Sequence, residues 1–179
     1  MPPMTDFDKI RAYYAQFNEW DRLSRPEGQI EYSLTCEILD KHLAKGSRIL
    51  DLGGGPGRYT IYLVGRGHRV TLADISPVLL DIAKQKVAEN DVSENIEDIR
   101  TINATDLSAF GSDTFDAVLT FGPYYHLTKR SEREQATSEL ERVLKPSGLV
   151  FATFISRING LAGLISRAAS NPGHCRYLP

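Results

Sequence analysis

Several large classes of protein leave marks that this chain lacks. It has two cysteines, Cys36 and Cys175, too few for a disulfide framework and without metal-ligand spacing. No apolar run is long enough to cross a bilayer. The amino terminus carries Asp6 and Asp8 and no apolar core, so no secretory signal is expected and a reducing cytoplasm is the expected location. There is no dense basic run: 21 Lys and Arg stand against 23 Asp and Glu, a formal net charge of −2, which argues against a nucleic-acid partner. Internal repeats and low-complexity linkers are missing too. The composition left by these exclusions is that of an ordinary globular protein, 41% hydrophobic and 25% charged, in a length that suits one domain.

The most informative stretch is Arg48-Ile49-Leu50-Asp51-Leu52-Gly53-Gly54-Gly55-Pro56-Gly57-Arg58. A short apolar run ends on a carboxylate, a glycine-dense turn comes next, and a helix pattern begins beyond it. Glycine lets a ligand approach the main chain closely, and the helix start offers unpaired amides and partial positive charge. This is the pattern of a nucleotide-type cofactor cradle at the exit of a parallel strand. A dinucleotide site requires Gly-x-Gly-x-x-Gly. Here Gly53, Gly55 and Gly57 are spaced Gly-x-Gly-x-Gly, and Arg58 occupies the position a dehydrogenase needs. Asp51 would repel a pyrophosphate and attract a cationic ligand. Both features count against a nicotinamide-dependent oxidoreductase.

A second acid lies about 20 residues later. Residues 69–73 read as a strand ending at Asp74, where nucleotide folds accept hydrogen bonds from ribose hydroxyls; capping the next helix is the alternative role. Ser76-Pro77 supplies a cap and a first-turn proline for that helix. Around these motifs helices and strands alternate, which predicts an α/β domain with a mainly parallel sheet. An aromatic-rich amphipathic segment is expected over 6–20. Helices are expected over 30–44, 58–65 and 77–90, and from a Thr128 cap to Leu144. The first of these would turn Leu34, Ile38, Leu39 and Leu43 to one face. Strands are expected over 48–52, 69–73, 99–102, 115–121 and 149–155, with Lys145-Pro146-Ser147-Gly148 breaking the chain before the last.

Asp51-Leu52-Gly53-Gly54-Gly55-Pro56-Gly57 resembles the first motif of class I S-adenosylmethionine-dependent methyltransferases. The stretch from Thr114 to Leu127, with Gly122-Pro123-Tyr124-Tyr125-His126-Leu127, is similar to that family's fourth strand and its adjoining loop. Leu140 through Leu149 is similar to its helix-turn-fifth-strand segment. The likeness covers residues 10–157 and is nearest to methyltransferases of small molecules. It implies a Rossmann-like, doubly wound sheet of about five strands in the order 3-2-1-4-5. It divides the chain into a cofactor-covering segment, 1–29, a cofactor-binding domain, 30–157, and a tail, 158–179. The implied reaction is methyl transfer from S-adenosyl-L-methionine to oxygen or nitrogen of a small-molecule acceptor. A non-catalytic relic that only binds, and a polyamine-synthase-like enzyme on the same fold, are the alternatives.

The resemblance implies that Tyr14, Arg22, Asp51, Gly53, Gly55, Asp74, Ile75, Asn103, Ala104 and Phe121 surround the cofactor. The family commonly has an acid after the third strand to accept from the adenine amino group. Here Asn103 stands in that place, and its uncharged carbonyl gives up about 1 kcal/mol; Asp106 is the substitute if the register slips. His126 is the one histidine in a loop at the carboxyl ends of the strands. It is either a general base or a residue that packs and orients the loop. Tyr13, Tyr14, Phe17 and Trp20 either pack an amphipathic helix or close over the sulfonium.

Domains of this family carry two more strands after the fifth, as an antiparallel hairpin. Residues 156–170 offer one helical pattern through Ile158, Leu161, Leu164 and Ile165, and Pro172, Gly173 and Pro179 interrupt the stretch beyond it. The expectation is a domain lacking the hairpin, whose fifth strand is an apolar edge open to self-association.

Overall fold

The structure, a computed structural model, describes residues 6–14 and 19–156. Five strands form one all-parallel sheet in the order β3-β2-β1-β4-β5, as expected: β1 Arg48–Leu52, β2 Arg69–Asp74, β3 Ile96–Thr101, β4 Phe115–Thr120 and β5 Leu144–Ala152. The helices are α1 Asp6–Tyr14, α2 Glu19–Arg22, α3 Pro26–His42, α4 Arg58–Gly65, α5 Pro77–Glu89, α6 Pro123–His126 and α7 Arg130–Val143. Among the described residues no helix is long and apolar enough to cross a membrane.

Side chains alternate across a strand, so each central strand feeds two cores. Ile49, Val70, Ala117 and Leu119 pack with Leu39 of α3 and Leu63 and Val64 of α4. Leu50, Leu52 and Val118 pack on the opposite face with Leu140 and Val143 of α7. Leu72 meets Leu80 and Ala83 of α5. Ser76 caps α5 as its sequence predicts, its hydroxyl accepting from the Leu79 amide at 3.4 Å with Pro77 in the first turn.

Four expectations are corrected. Helix α3 starts at Pro26 and turns Tyr32, Cys36, Leu39 and Leu43 inward, while Leu34 and Ile38 are 55% and 51% exposed. The chain offers two apolar stripes on this helix, and the sheet takes only one. Helix α7 is preceded by Lys129 with no side-chain cap; Thr128 instead gives its carbonyl, like that of Leu127, to the Arg133 guanidinium. Strand β3 begins earlier than expected, at Ile96, because the adjacent acids Glu97 and Asp98 break the apolar pattern of its first half. Lys145-Pro146-Ser147-Gly148 does not precede β5 but bulges within it: Phe115 pairs with Leu144 and Ala117 with Leu149. Asp116 secures the bulge, accepting from Lys145 Nζ at 2.8 Å and from the Arg48 amide at 2.8 Å. Lys145 above all holds this carboxyl below the usual range. The segment expected over 6–20 is two helices, with Phe17 outside the described residues. The tail and the hairpin expectation also lie outside them.

The orientation of α3 is testable by denaturant unfolding. Leu39→Ala is expected to cost about 2–5 kcal/mol, whereas Leu34→Ala and Ile38→Ala should each change stability by about 0.5 kcal/mol or less. Equal losses at the three positions would contradict the packing described.

Candidate functional site

Sheet order reverses between β1 and β4, and in such sheets ligands bind beyond the carboxyl ends of the strands at that point. A cleft opens there, with about 130 Å³ of cavity volume. The ten residues that the resemblance assigns to the cofactor, and His126, all line it: Asp51, Gly53, Gly55, Asp74, Ile75, Asn103, Ala104 and Phe121 from the strand exits, His126 from α6, and Tyr14 and Arg22 from α1 and α2.

Two buried carboxylates organise the floor. Asp51, at the end of β1, is 2% exposed and accepts from Thr60 Oγ1 at 2.6 Å, so the first turn of α4 fixes its orientation. Burial pushes its pKa up to about 6; the Asp74 charge adds to this and the bonds from Thr60 oppose it. Asp74, at the end of β2, accepts from the Gly55 amide at 2.9 Å through one oxygen and from the Ser76 amide at 2.8 Å through the other. Burial raises its pKa, against the pull of those amides. Each oxygen has a second lone pair, so serving the turn and accepting from a ligand are compatible.

The glycines divide their work differently from their spacing. Gly53 has φ +75°, and a Cβ there would lie 2.6 Å from Pro123 Cδ; a Cβ on Gly54 would lie 2.5 Å from Asp51 Cγ and from Leu72 Cδ1. Gly54, outside the Gly-x-Gly-x-Gly pattern, is thus a glycine that the packing of the turn itself requires. Its only sequence signal is the unbroken run of three glycines.

Asn103 is half-buried, and its Oδ1 accepts from the Thr105 amide at 3.1 Å, which leaves one lone pair toward the cleft. Asp106 does not line the cleft; it is exposed and bonds the Ser108 amide. Ile75, Ile102, Leu79, Ala104 and Phe121 give the same region apolar walls.

The remaining wall comes from α1, α2 and α6. Phe7, Ile10 and Tyr14 face the cleft at i, i+3, i+7, a helical spacing legible in the sequence but not used there. Tyr14 Oη lies 2.7 Å from His126 Nε2. Burial lowers the pKa of His126 and raises that of Tyr14, the latter helped by Tyr125. Arg11 donates to the Ile75 carbonyl at 2.9 Å, tying α1 across the cleft. Arg22 makes a two-pronged bond to Glu31, at 2.8 and 3.1 Å, and a pair with Glu19 at 3.3 Å, so its charge is already compensated. The Arg58 guanidinium lies 4.9 Å from the Trp20 ring centre and 5.1 Å from that of Tyr32, holding α2 by cation–π contact. Trp20 therefore packs on Arg58 and, at 5.1 Å, on Lys86.

The arrangement suits a cationic nucleoside. Asp51, Asp74 and Glu19 line the cleft, and Arg22 and Arg58 are engaged elsewhere, so among the described residues a pyrophosphate would find no free cation in it. Among the described residues no cluster could hold a metal ion. The site is that of a Rossmann-like domain for a positively charged nucleoside cofactor.

Comparison with known proteins agrees. A methyltransferase-domain family matches residues 49–148. The ubiquinone/menaquinone biosynthesis C-methyltransferase UbiE of Hahella chejuensis is 31% identical over 156 residues, 84% of this chain and 58% of the relative. The tRNA 5-carboxymethoxyuridine methyltransferase of Escherichia coli is 30% identical over 134 residues, 72% of this chain and 49% of the relative. The crystal structure of the PH0226 protein from Pyrococcus horikoshii superposes with a TM-score of 0.72 at 26% identity, covering 90% of this chain and 69% of that one. The chain belongs to the methyltransferase-domain family, among the class I methyltransferases whose cofactor is S-adenosylmethionine. It spans about half the length of the curated relatives it matches.

Asp51 gives this cleft a pH dependence. Its folded value, about 6, lies above the ordinary 3.8, so the ligand-free protein holds the proton up to about pH 6, and a cation must bind the carboxylate form. Affinity for S-adenosylmethionine is therefore expected to fall about 3- to 10-fold from pH 7 to pH 5. Calorimetry should show a smaller fall for uncharged-sulfur S-adenosylhomocysteine, and for either ligand in Asp51→Asn.

Proposed function

We propose that this domain methylates an oxygen or nitrogen of a small, largely apolar metabolite in the cytoplasm, seated beside residues 122–127. The supporting observation is the Tyr14–His126 pair at 2.7 Å, set among the apolar side chains of Phe7, Ile10, Pro123 and Leu127. The cofactor, when bound, supplies a methyl carbon whose bond to sulfur breaks with its electron pair on sulfur as the acceptor's lone pair takes the carbon. The chain's own residues do the rest. Asp74 and Asn103 would hold ribose and adenine, Gly53 and Gly55 would let the cofactor approach the turn, and Asp51 would offset its positive charge. Ile75, Ala104 and Phe121 would supply apolar surface for the base. His126, kept neutral by burial, takes the acceptor proton. Alignment in a closed cleft supplies most of the acceleration, up to about 7–11 kcal/mol in the best intramolecular cases.

A second reading is methylation of a ring carbon, favoured by the relative named a quinone C-methyltransferase. Removing the proton of a hydroquinone hydroxyl enriches the neighbouring ring carbon as well as the oxygen, so the same pair serves both outcomes. The net charge of −2 and the engaged arginines count against RNA, although another relative is named for tRNA.

The protein should be assayed with methyl-labelled S-adenosylmethionine against small phenols, hydroquinones and amines, with the methylated atom identified in the product. His126→Ala is expected to lower kcat about 10²- to 10⁴-fold while cofactor affinity stays within about twofold. Cofactor binding without turnover on any of the three classes would favour the non-catalytic alternative. An unchanged rate in His126→Ala would leave the histidine as a packing residue.

A further inference from the structure

Tyr14 enters the cleft from α1, and His126 ends α6; their side chains meet through Tyr14 Oη and His126 Nε2. One of the two imidazole nitrogens, Nε2, is therefore already occupied by a phenol. The Tyr14 and His126 rings stand edge to face, 5.5 Å apart, and Tyr13 makes a similar contact with Tyr14 at 5.3 Å, so the phenol is held in place by packing as well. The hydroxyl of Tyr125, also a cleft residue, is the other polar neighbour of Tyr14.

The geometry points to Tyr14 as a catalytic residue, the hydroxyl through which the acceptor's proton reaches His126. This rests on the reading of His126 as the proton acceptor. As the acceptor's O–H or N–H proton moves to Tyr14 Oη, the phenol's own proton moves to Nε2. One proton leaves the acceptor, Tyr14 ends neutral as it began, and His126 becomes imidazolium. Burial keeps the proton on the phenol and the imidazole neutral in the resting site; in the tautomer with the ring proton on Nδ1, Tyr14 donates and Nε2 accepts. Because α1 carries Tyr14 and docks through Arg11 on the Ile75 carbonyl, the relay exists only while α1 covers the cleft.

The test is Tyr14→Phe, which keeps the ring and its packing and removes the hydroxyl. In the wild-type protein, nitrogen-15 spectra of the His126 ring at pH 8 should show Nδ1 protonated and Nε2 a bare acceptor. In Tyr14→Phe the Nε2 resonance should move as that bond is lost. With a hydroquinone as acceptor, kcat should fall about 10- to 100-fold, while calorimetric affinity for S-adenosylmethionine stays within about twofold. A proton on Nε2 in the wild type overturns the relay, whether or not hydroquinone is turned over. A normal rate in Tyr14→Phe beside an impaired His126→Ala overturns the relay and leaves the base. Normal rates in both overturn both readings. A loss of cofactor affinity in Tyr14→Phe that accounts for the whole loss of rate reduces Tyr14 to a cofactor contact.

Discussion

The carboxylate of Asp74 joins two turns that the chain separates by about 20 residues. One oxygen holds the Gly55 amide of the turn after β1, and the other holds the Ser76 amide at the start of α5. A buried carboxylate is costly unless it is hydrogen-bonded, and here backbone donors from both turns meet that need. The strand exits are thereby fixed relative to each other, and the cleft takes its shape from that fixation. The Gly53 amide reinforces it by bonding the Ala73 carbonyl at 2.7 Å.

Around this floor the charges settle which ligands suit. Asp51 and Asp74 remain toward the cleft, whereas Arg22 is drawn off to Glu31 and Glu19 and Arg58 to aromatic rings. The covering helices are held by polar and cation–π contacts rather than by a core; neither α1 nor α2 buries a residue fully. Elements attached in this way sit at the low end of local stability, which suits a wall that must admit a ligand.

Much of the fold was legible because local physics states it. The alternation of periods announced the parallel sheet, and Ser76-Pro77 announced α5. Failures fell where a local pattern was ambiguous. The stripe Leu34, Ile38 on α3 is as apolar as the buried one, and only the position of the sheet chooses between them. Lys145-Pro146-Ser147-Gly148 reads as a break, yet Asp116 from a neighbouring strand holds it as a bulge inside β5. The first residues of strand β3 were missed because Glu97 and Asp98 stand side by side where an apolar pattern would mark a strand.

The site divides the same way. Asp51, the glycine run and Asp74 could be read directly, because a strand exit, a tight turn and a helix start each restrict the residues that can stand there. Sequence spacing also placed Asn103 ahead of Asp106, and the structure keeps the aspartate outside the cleft. The partners of Arg22, the packing need at Gly54 and the meeting of Tyr14 with His126 were not legible. Tyr14 and His126 lie 112 positions apart, and no local propensity encodes a contact of that range. The sequence determined the class of cofactor cradle through short-range backbone constraints; the tertiary structure alone decided which side chains share a hydrogen bond, because that depends on how separate helices dock across the sheet.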